Sequence, residues 1–252
     1  MDIKTINNFL WWVPFKEIRN YLKNAVNENV YLNNKYSFLK NIIEINNNIK
    51  FKSQYDQDFL VYEYFNGKKN GFFIDIGAHN GEWINNTYIF EKLGWNGICI
   101  EADPDNFELL KKNRKCYTYN FAIDSENSDS IKFIRSKVDA LNVLEKHCSD
   151  EHAKRIKSEA KIDNLEYINI KSITFNDLMK NYHSEIKHID FLSLDIEGGE
   201  LDILKTIDFN TYSFGLLTIE NNEKENTLID FMKTKGYKVL IDIGCDILFV
   251  KE

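Results

Sequence analysis

The chain of 252 residues is marked first by what it lacks. No apolar run approaches the ~18 residues that a spanning helix needs. The start has neither the basic region nor the cleavage site of a secretion signal, which points away from export. Cysteine occurs four times, as Cys99, Cys116, Cys148 and Cys245, with no CxxC pair. That spacing fits reduced, mostly structural thiols in a cytoplasmic compartment better than a disulfide framework or a zinc site. Positive charge is not in excess either: 32 Lys and Arg face 39 Asp and Glu, for a net charge of −7. A nucleic-acid partner, which calls for a basic face, is therefore not expected. Proline appears only twice, in a chain rich in Asn, Lys and Ile. This is a coding bias without chemical meaning.

What is present fits a soluble globular protein of one large domain or two small ones, since 43% hydrophobic residues are enough for a sizeable core. No internal repeat is visible. Up to residue 52, Ile18, Tyr21, Leu22, Ala25 and Val26, and then Phe38, Leu39, Ile42 and Ile43, recur at helical spacing. They predict two amphipathic helices and a helical N-terminal extension, residues 1–52. From residue 53 to 252 the pattern becomes short apolar runs separated by helical stretches: "GFFIDIG", "GICIEA", "CYTYNFAI", "HIDFLSLDI" and "FGLLTIE". Such runs are what strands buried on both faces look like, and their alternation with helices predicts an α/β domain with a mostly parallel sheet. The last pair, "YKVLIDIG" and "CDILFV", joined through Gly244, predicts an antiparallel hairpin closing it.

In an open α/β sheet the ligand lies beyond the carboxyl ends of the strands, at the first strand-to-helix turn. Here that turn reads "DIGAHNGEW". A dinucleotide turn would be G-x-G-x-x-G, bringing backbone amides to a pyrophosphate. In its place stand Gly77, Ala78, His79, Asn80, Gly81 and Glu82, with Asp75 at the strand end. Two carboxylates at this position repel phosphate and favour a positively charged ligand. S-adenosylmethionine, a sulfonium with an amino acid tail, meets that description. The next strand ends in Glu101, about twenty residues on, where an acid accepts the hydroxyls of an adenosine ribose. A nicotinamide or flavin enzyme is disfavoured by the missing glycines.

The stretch from "SQYDQDFL" through "NNTYIFEKLGWNGICIEADP", then "DFLSLDIEGGELDIL" and "TIENN", resembles the FkbM family of S-adenosylmethionine-dependent methyltransferases over roughly residues 53 to 250. The resemblance implies a Rossmann-like methyltransferase fold and O-methylation, often of sugars or polyketides. It implies that Asp75, Gly77, Ala78, His79 and Gly81 form the turn for the methionine tail and that Glu101 holds the ribose. Gln54 and Thr87, in the first two matching stretches, join the cofactor contacts. Adenine is expected near Asn120, Phe121 and Ala122, with Ala102 also at the cofactor. Ala102 and Asp103 stand where many relatives have Pro-Asn. Asp195 and Glu197 are implied as the acidic strand end beside the reacting centre.

Methyl transfer to oxygen is an in-line displacement, so the enzyme must align the acceptor and take a proton from a weakly acidic hydroxyl. Asp195 and Glu197 occupy alternate positions at one strand end, Gly198 and Gly199 would let backbone approach the ligand, and Glu220 ends the neighbouring strand. The three carboxylates could supply a general base or bind Mg²⁺ through oxygen. Glu200 reads as a helix cap. His79 is either a base or a polar side chain shaping the turn. His147 and His152 lie where such folds insert acceptor-binding loops, although a solvated helix face is the simpler reading. His183 and His188 read as surface residues, and Thr174 with Asp177 as a helix N-cap.

Near the start, "FLWWVPFKEIRNYLK" combines aromatics with Lys16, Arg19 and Lys23. Residues 9–23 suit a peripheral contact with the inner face of a membrane. Alternatively, Trp11 and Trp12 pack on the catalytic domain or on a second subunit of a homo-oligomer. The expected activity is O-methylation of a hydroxyl on a sugar of a bacterial surface glycan or its nucleotide-linked precursor. Another small molecule or a peptide as acceptor, or a non-catalytic scaffold that only binds the cofactor, are the alternatives.

Overall fold

The computed structural model describes residues 16–136, 141–222 and 226–252. The chain divides into two compact units, one ending at Lys50 and the other running Phe51–Glu252. In the first, helix α1 spans Lys16–Asn47 without a break. Two helices were expected, but nothing between the two apolar patches breaks a helix, since neither proline nor glycine occurs there and the asparagines are tolerated. The helix stops at Asn48, whose φ of 51° is the left-handed conformation common just past a helix end. Among the described residues no helix is long and apolar enough to cross a membrane. Residues 9–15 of the aromatic leader lie outside the described residues.

The second unit is built on a seven-stranded sheet. Strands β1 (Phe72–Ile76), β2 (Asn96–Ile100) and β3 (Tyr117–Tyr119) follow one another toward one edge. On the other side of β1 lie β8 (His188–Leu194) and β9 (Ser213–Glu220), all five parallel. The chain order therefore reverses between β1 and β8, the position at which open α/β sheets bind ligands. Strand β11 (Asp246–Lys251) inserts antiparallel between β9 and β10 (Tyr237–Ile243), giving the expected closing hairpin. Phe73, Ile74 and Ile76 of β1, and Phe191, Leu192 and Leu194 of β8, are fully buried, each contributing ~1.5–3 kcal/mol by removal from water.

A second, four-stranded sheet was not legible in the sequence. "CYTYNFAI" reads as one strand but forms two, β3 in the main sheet and β4 (Ala122–Ile123) in the other. Asn120 turns the chain between them: its side-chain amide donates to the carbonyls of Glu101 (2.8 Å) and Ala102 (3.0 Å). Those bonds occupy acceptors that a continuing strand would use. The second sheet runs β4, β7 (Glu166–Ile173), β5 (Ser128–Arg135) and β6 (Val143–Leu144). Helices α2 (Gln57–Tyr64), α3 (Tyr88–Lys92) and α4 (Pro104–Asn113) come earlier in the chain, and between β6 and β7 lie a 3₁₀ turn, Glu145–His147, and helix α5, Asp150–Ala160. Ala122, Phe133 and Leu144 form a small core of their own, with Ala102 packed against it.

Candidate active site

The glycine turn follows β1 directly. Gly77 N and Ala78 N donate to the carbonyl of Ile100, and Asp195 N donates to that of Ile76, so the ends of β1, β2 and β8 are tied at one level. Gly77 (φ 86°) and Gly81 (φ 77°) take conformations that favour glycine, and His79 (φ 50°) lies between them. A side chain at Gly81 would also meet Leu110 at 2.5 Å and Arg114 at 2.8 Å.

Glu101 is buried at the end of β2. Its two carboxylate oxygens accept from His79 N (2.8 Å) and Asp103 N (2.7 Å), which fixes the carboxylate against the turn while leaving a lone pair on each oxygen. Burial pushes its carboxyl up to about 7 against the lowering effect of those two amides. Asp75 sits behind the turn. Its carboxylate accepts from Asn85 (2.8 Å) and the Thr87 hydroxyl (2.7 Å), beside the buried guanidinium of Arg114, which bonds Thr87, Asn85 and the Gly81 carbonyl. Burial raises the Asp75 carboxyl, with Arg114, Thr87 and Asn85 opposing.

A cavity of about 420 Å³ opens above these strand ends, within the range of small-molecule sites. Of the sequence-predicted residues it brings together Gln54, Gly77, His79, Glu101, Ala102, Phe121, Ala122, Asp195, Glu197 and Glu220. Asp75, Ala78, Gly81, Thr87 and Asn120 do not line it; they support the turn and the strand ends from behind. The walls also include Trp83, Phe133, Asn142, Leu144 and Arg155, which the sequence reading missed. Trp83 could have been found, because it follows the glycine turn directly, and its ring centroid is 5.6 Å from that of His79. The others come from the second sheet and α5, and no local pattern announces them. Apolar walls beside a glycine turn and one buried acid fit S-adenosylmethionine, with its flat base, ribose and cationic centre.

At the far end of the cavity the ligand oxygens of Asp195, Glu197 and Glu220 all lie within 4.8 Å of one another. Glu197 is held at φ 62°, strained for a residue with a side chain. Burial, and then the charges of the neighbouring acids, hold Asp195 and Glu220 well above the usual carboxylate range. Glu197 is pushed up to about 7 by burial, with Arg155 opposing. Asp246 stands beside them, held by the Gln57 amide, and burial raises it too. Three convergent carboxylates are a donor set suited to a hard divalent cation such as Mg²⁺. Glu200 caps as expected, accepting from Ile196 N (3.2 Å) and Gly198 N (3.0 Å).

Several side-chain expectations need correction. Gly198 and Gly199 face His147: a Cβ on Gly199 would lie 2.7 Å from the imidazole, and one on Gly198 would lie 3.0 Å from the His147 carbonyl. His147 is therefore no solvated residue; its ring also meets Asp124 at 3.5 Å, and Lys146 pairs with the same carboxylate at 2.6 Å. These partners outweigh burial and hold the Asp124 carboxyl down at about 2. His152 is largely covered as well, with Nε2 at 3.1 Å from the Leu141 carbonyl and Nδ1 at 3.9 Å from Glu197. A carbonyl only accepts, so Nε2 carries a proton, and Nδ1 faces Glu197. His183 is buried, not superficial: its Nε2 lies 2.9 Å from the Tyr119 hydroxyl. Burial lowers its pKa. His188 is exposed, and Thr174 caps its helix by accepting from Asp177 N, both as expected.

The methyltransferase FkbM domain matches residues 75–239. Among solved structures, the chain is similar to methyltransferase FkbM from Methylobacillus flagellatus KT at 14% identity and a TM-score of 0.41, the alignment covering 72% of this chain and 43% of that one. It is similar to a methyltransferase from Geobacter sulfurreducens at 13% identity and a TM-score of 0.43, covering 89% and 94%. A TehB-like SAM-dependent methyltransferase from Corynebacterium glutamicum ATCC 13032 aligns at 10% identity and a TM-score of 0.42, covering 88% and 99%. No curated protein matches the chain.

Proposed function

The chain belongs to the FkbM family of S-adenosylmethionine-dependent methyltransferases, and from that premise we propose that it methylates a hydroxyl on a sugar of a bacterial surface glycan. The observation that carries the reading is the convergence of Asp195, Glu197 and Glu220 at the end of the cavity that Glu101 and the glycine turn also line. S-adenosylmethionine supplies an electrophilic methyl group when bound. Glu101 would accept from its ribose hydroxyls, and Phe121 and Ala122, which line the same cavity, would hold its base. Asp195, Glu197 or Glu220 would orient the acceptor hydroxyl and take its proton while the methyl C–S bond breaks and the O–C bond forms, with the thioether of S-adenosylhomocysteine as the leaving group. A general base of this kind contributes about 10²–10⁴-fold. Alternatively the same three residues would hold Mg²⁺, which would make the hydroxyl more acidic.

The test is calorimetric titration with S-adenosylhomocysteine, repeated on Glu101→Ala, followed by an acceptor screen with and without Mg²⁺. Micromolar binding lost in the variant, with methyl transfer to a glycoside, is the expected result. No binding by the wild-type protein would overturn the reading. The aromatic and basic composition of residues 9–23 supports a peripheral membrane contact as part of the same proposal. Flotation with anionic vesicles tests it, and failure of the full chain to float would remove it.

A further inference from the structure

A second cavity, of about 880 Å³, adjoins the first. Arg155, Glu197, Glu220 and Asn222 line both, so the carboxylate cluster stands on the boundary between them. We infer that this second cleft receives the acceptor and that it takes a polyhydroxyl group bearing no phosphate or carboxylate. The inference rests on the methyltransferase reading and deepens it.

Position is the first argument. Glu220 is 5% exposed, yet no N–H or hydroxyl donor among the described residues reaches its Oε2. A buried carboxyl hydrogen-bonded to another acid, Asp195, is costly to keep, and an acceptor hydroxyl entering from the second cleft would relieve it. That hydroxyl would then stand between the cleft and the cavity that fits the cofactor. The opposite wall is made by His147 and α5, the segment inserted between β6 and β7.

Charge is the second argument. Glu151, Glu197, Glu200, Asp202 and Glu220 line the cleft, against a single guanidinium or ammonium, that of Arg155, among the described residues. Arg155 is already paired with Glu159 at 2.8 Å. His147 is engaged with Asp124, and His152 turns its Nδ1 toward Glu197. Among the described residues no further guanidinium or ammonium lines the cleft, and a phosphate placed here would face the carboxylates of Glu151 and Asp202 at short range. The cleft therefore rejects nucleotide-linked and phosphorylated sugars and admits neutral or amino-bearing ones. Of the two expected acceptor forms, the glycan unit itself remains and the nucleotide-linked precursor drops out.

The test uses the full chain saturated with S-adenosylhomocysteine and ligand-observed saturation-transfer NMR. The probes are methyl glycosides of common hexoses, their 6-phosphates and uridine-diphosphate hexoses. Neutral glycosides should show saturation at least tenfold above the anionic forms, and Glu151→Trp, which fills the cleft, should abolish it while leaving S-adenosylhomocysteine affinity within twofold. Glu151→Lys combined with Asp202→Lys should narrow the gap. Equal or stronger binding of the phosphorylated probes, undiminished glycoside binding in Glu151→Trp, or silence from every probe would overturn the inference while the cofactor titration stands. Failure of the cofactor titration itself would instead overturn the underlying reading.

Discussion

A Cβ on Gly77 would overlap the carbonyl oxygen of Asp195, so the glycine turn and the acidic strand end meet through backbone alone. Gly77 also sits at φ 86°, where a side chain costs ~1–2 kcal/mol even without the overlap. Gly77→Ala is expected to lower stability by at least ~2 kcal/mol in urea unfolding and to abolish S-adenosylhomocysteine binding in calorimetry. A variant of wild-type stability would mean that the two strand ends part easily.

Glu101 gives a pH prediction with a definite sign. Its carboxyl is raised from 4.5 to about 7 in the folded protein, so the folded state holds the proton more tightly than the unfolded chain. The stability tied to its neutral form is complete below pH 4.5 and is lost as pH rises through 7. Glu101→Gln should flatten that fall, by at most about 3 kcal/mol across the window. Urea midpoints at steps between pH 4.5 and 8, wild type against variant, measure it; parallel curves would remove the assignment. The comparison with the variant is needed because Glu197, also raised to about 7, contributes a slope of the same sign.

Which parts of this were readable in the sequence follows from burial. Strands β1, β2, β8 and β9 announce themselves because both faces are covered and their apolar runs are continuous, and each ends in or beside an acid that marks the site: Asp75, Glu101, Asp195 and Glu220. The second sheet is silent for the opposite reason. Strands β4 and β6 have two residues each, and β7 exposes much of "EYINIKSI", so no run stands out. Phe133, Asn142 and Arg155 reach the cavity only because that sheet and α5 fold over it. The glycines at 198 and 199 were visible, but their reason was not, since the ring that needs the space lies some fifty residues upstream, at His147.

Asp195→Asn keeps the shape of the acidic strand end while removing a group that can take up a proton. Affinity for S-adenosylhomocysteine should stay within a few-fold and methyl transfer should fall at least 10²-fold. Unchanged transfer in a radiolabelled methyl assay would take Asp195 out of the reacting centre.

Gly199→Ala tests whether the inserted segment must sit on the acidic strand end. The added methyl would press on the His147 ring, which Asp124 anchors from the other side. Cofactor affinity should change little, because Gly199 does not line that cavity, while transfer falls about tenfold or more. Pairing the change with His147→Ala, which vacates the space, should restore part of the loss.

Asp103 caps the helix Pro104–Asn113, accepting from Asp105 N (2.8 Å) and Asn106 N (3.1 Å), and also receives Arg135 from the second sheet at 2.6 Å. Asp103→Ala should cost ~1–2 kcal/mol in thermal or urea unfolding, more than a surface substitution. Asp103→Asn should recover most of the capping share but not the ion pair.

The bond from Gln57 to Asp246 closes a loop of 189 residues, and β11, which begins at Asp246, is threaded between β9 and β10. A nascent chain still short of residue 251 therefore leaves β9 as a bare edge and the acidic corner unfinished. Contacts this distant in sequence form late. The corner where the carboxylates converge is thus finished by the strand that completes the sheet, so its geometry is a report on the whole fold and not on any one local segment.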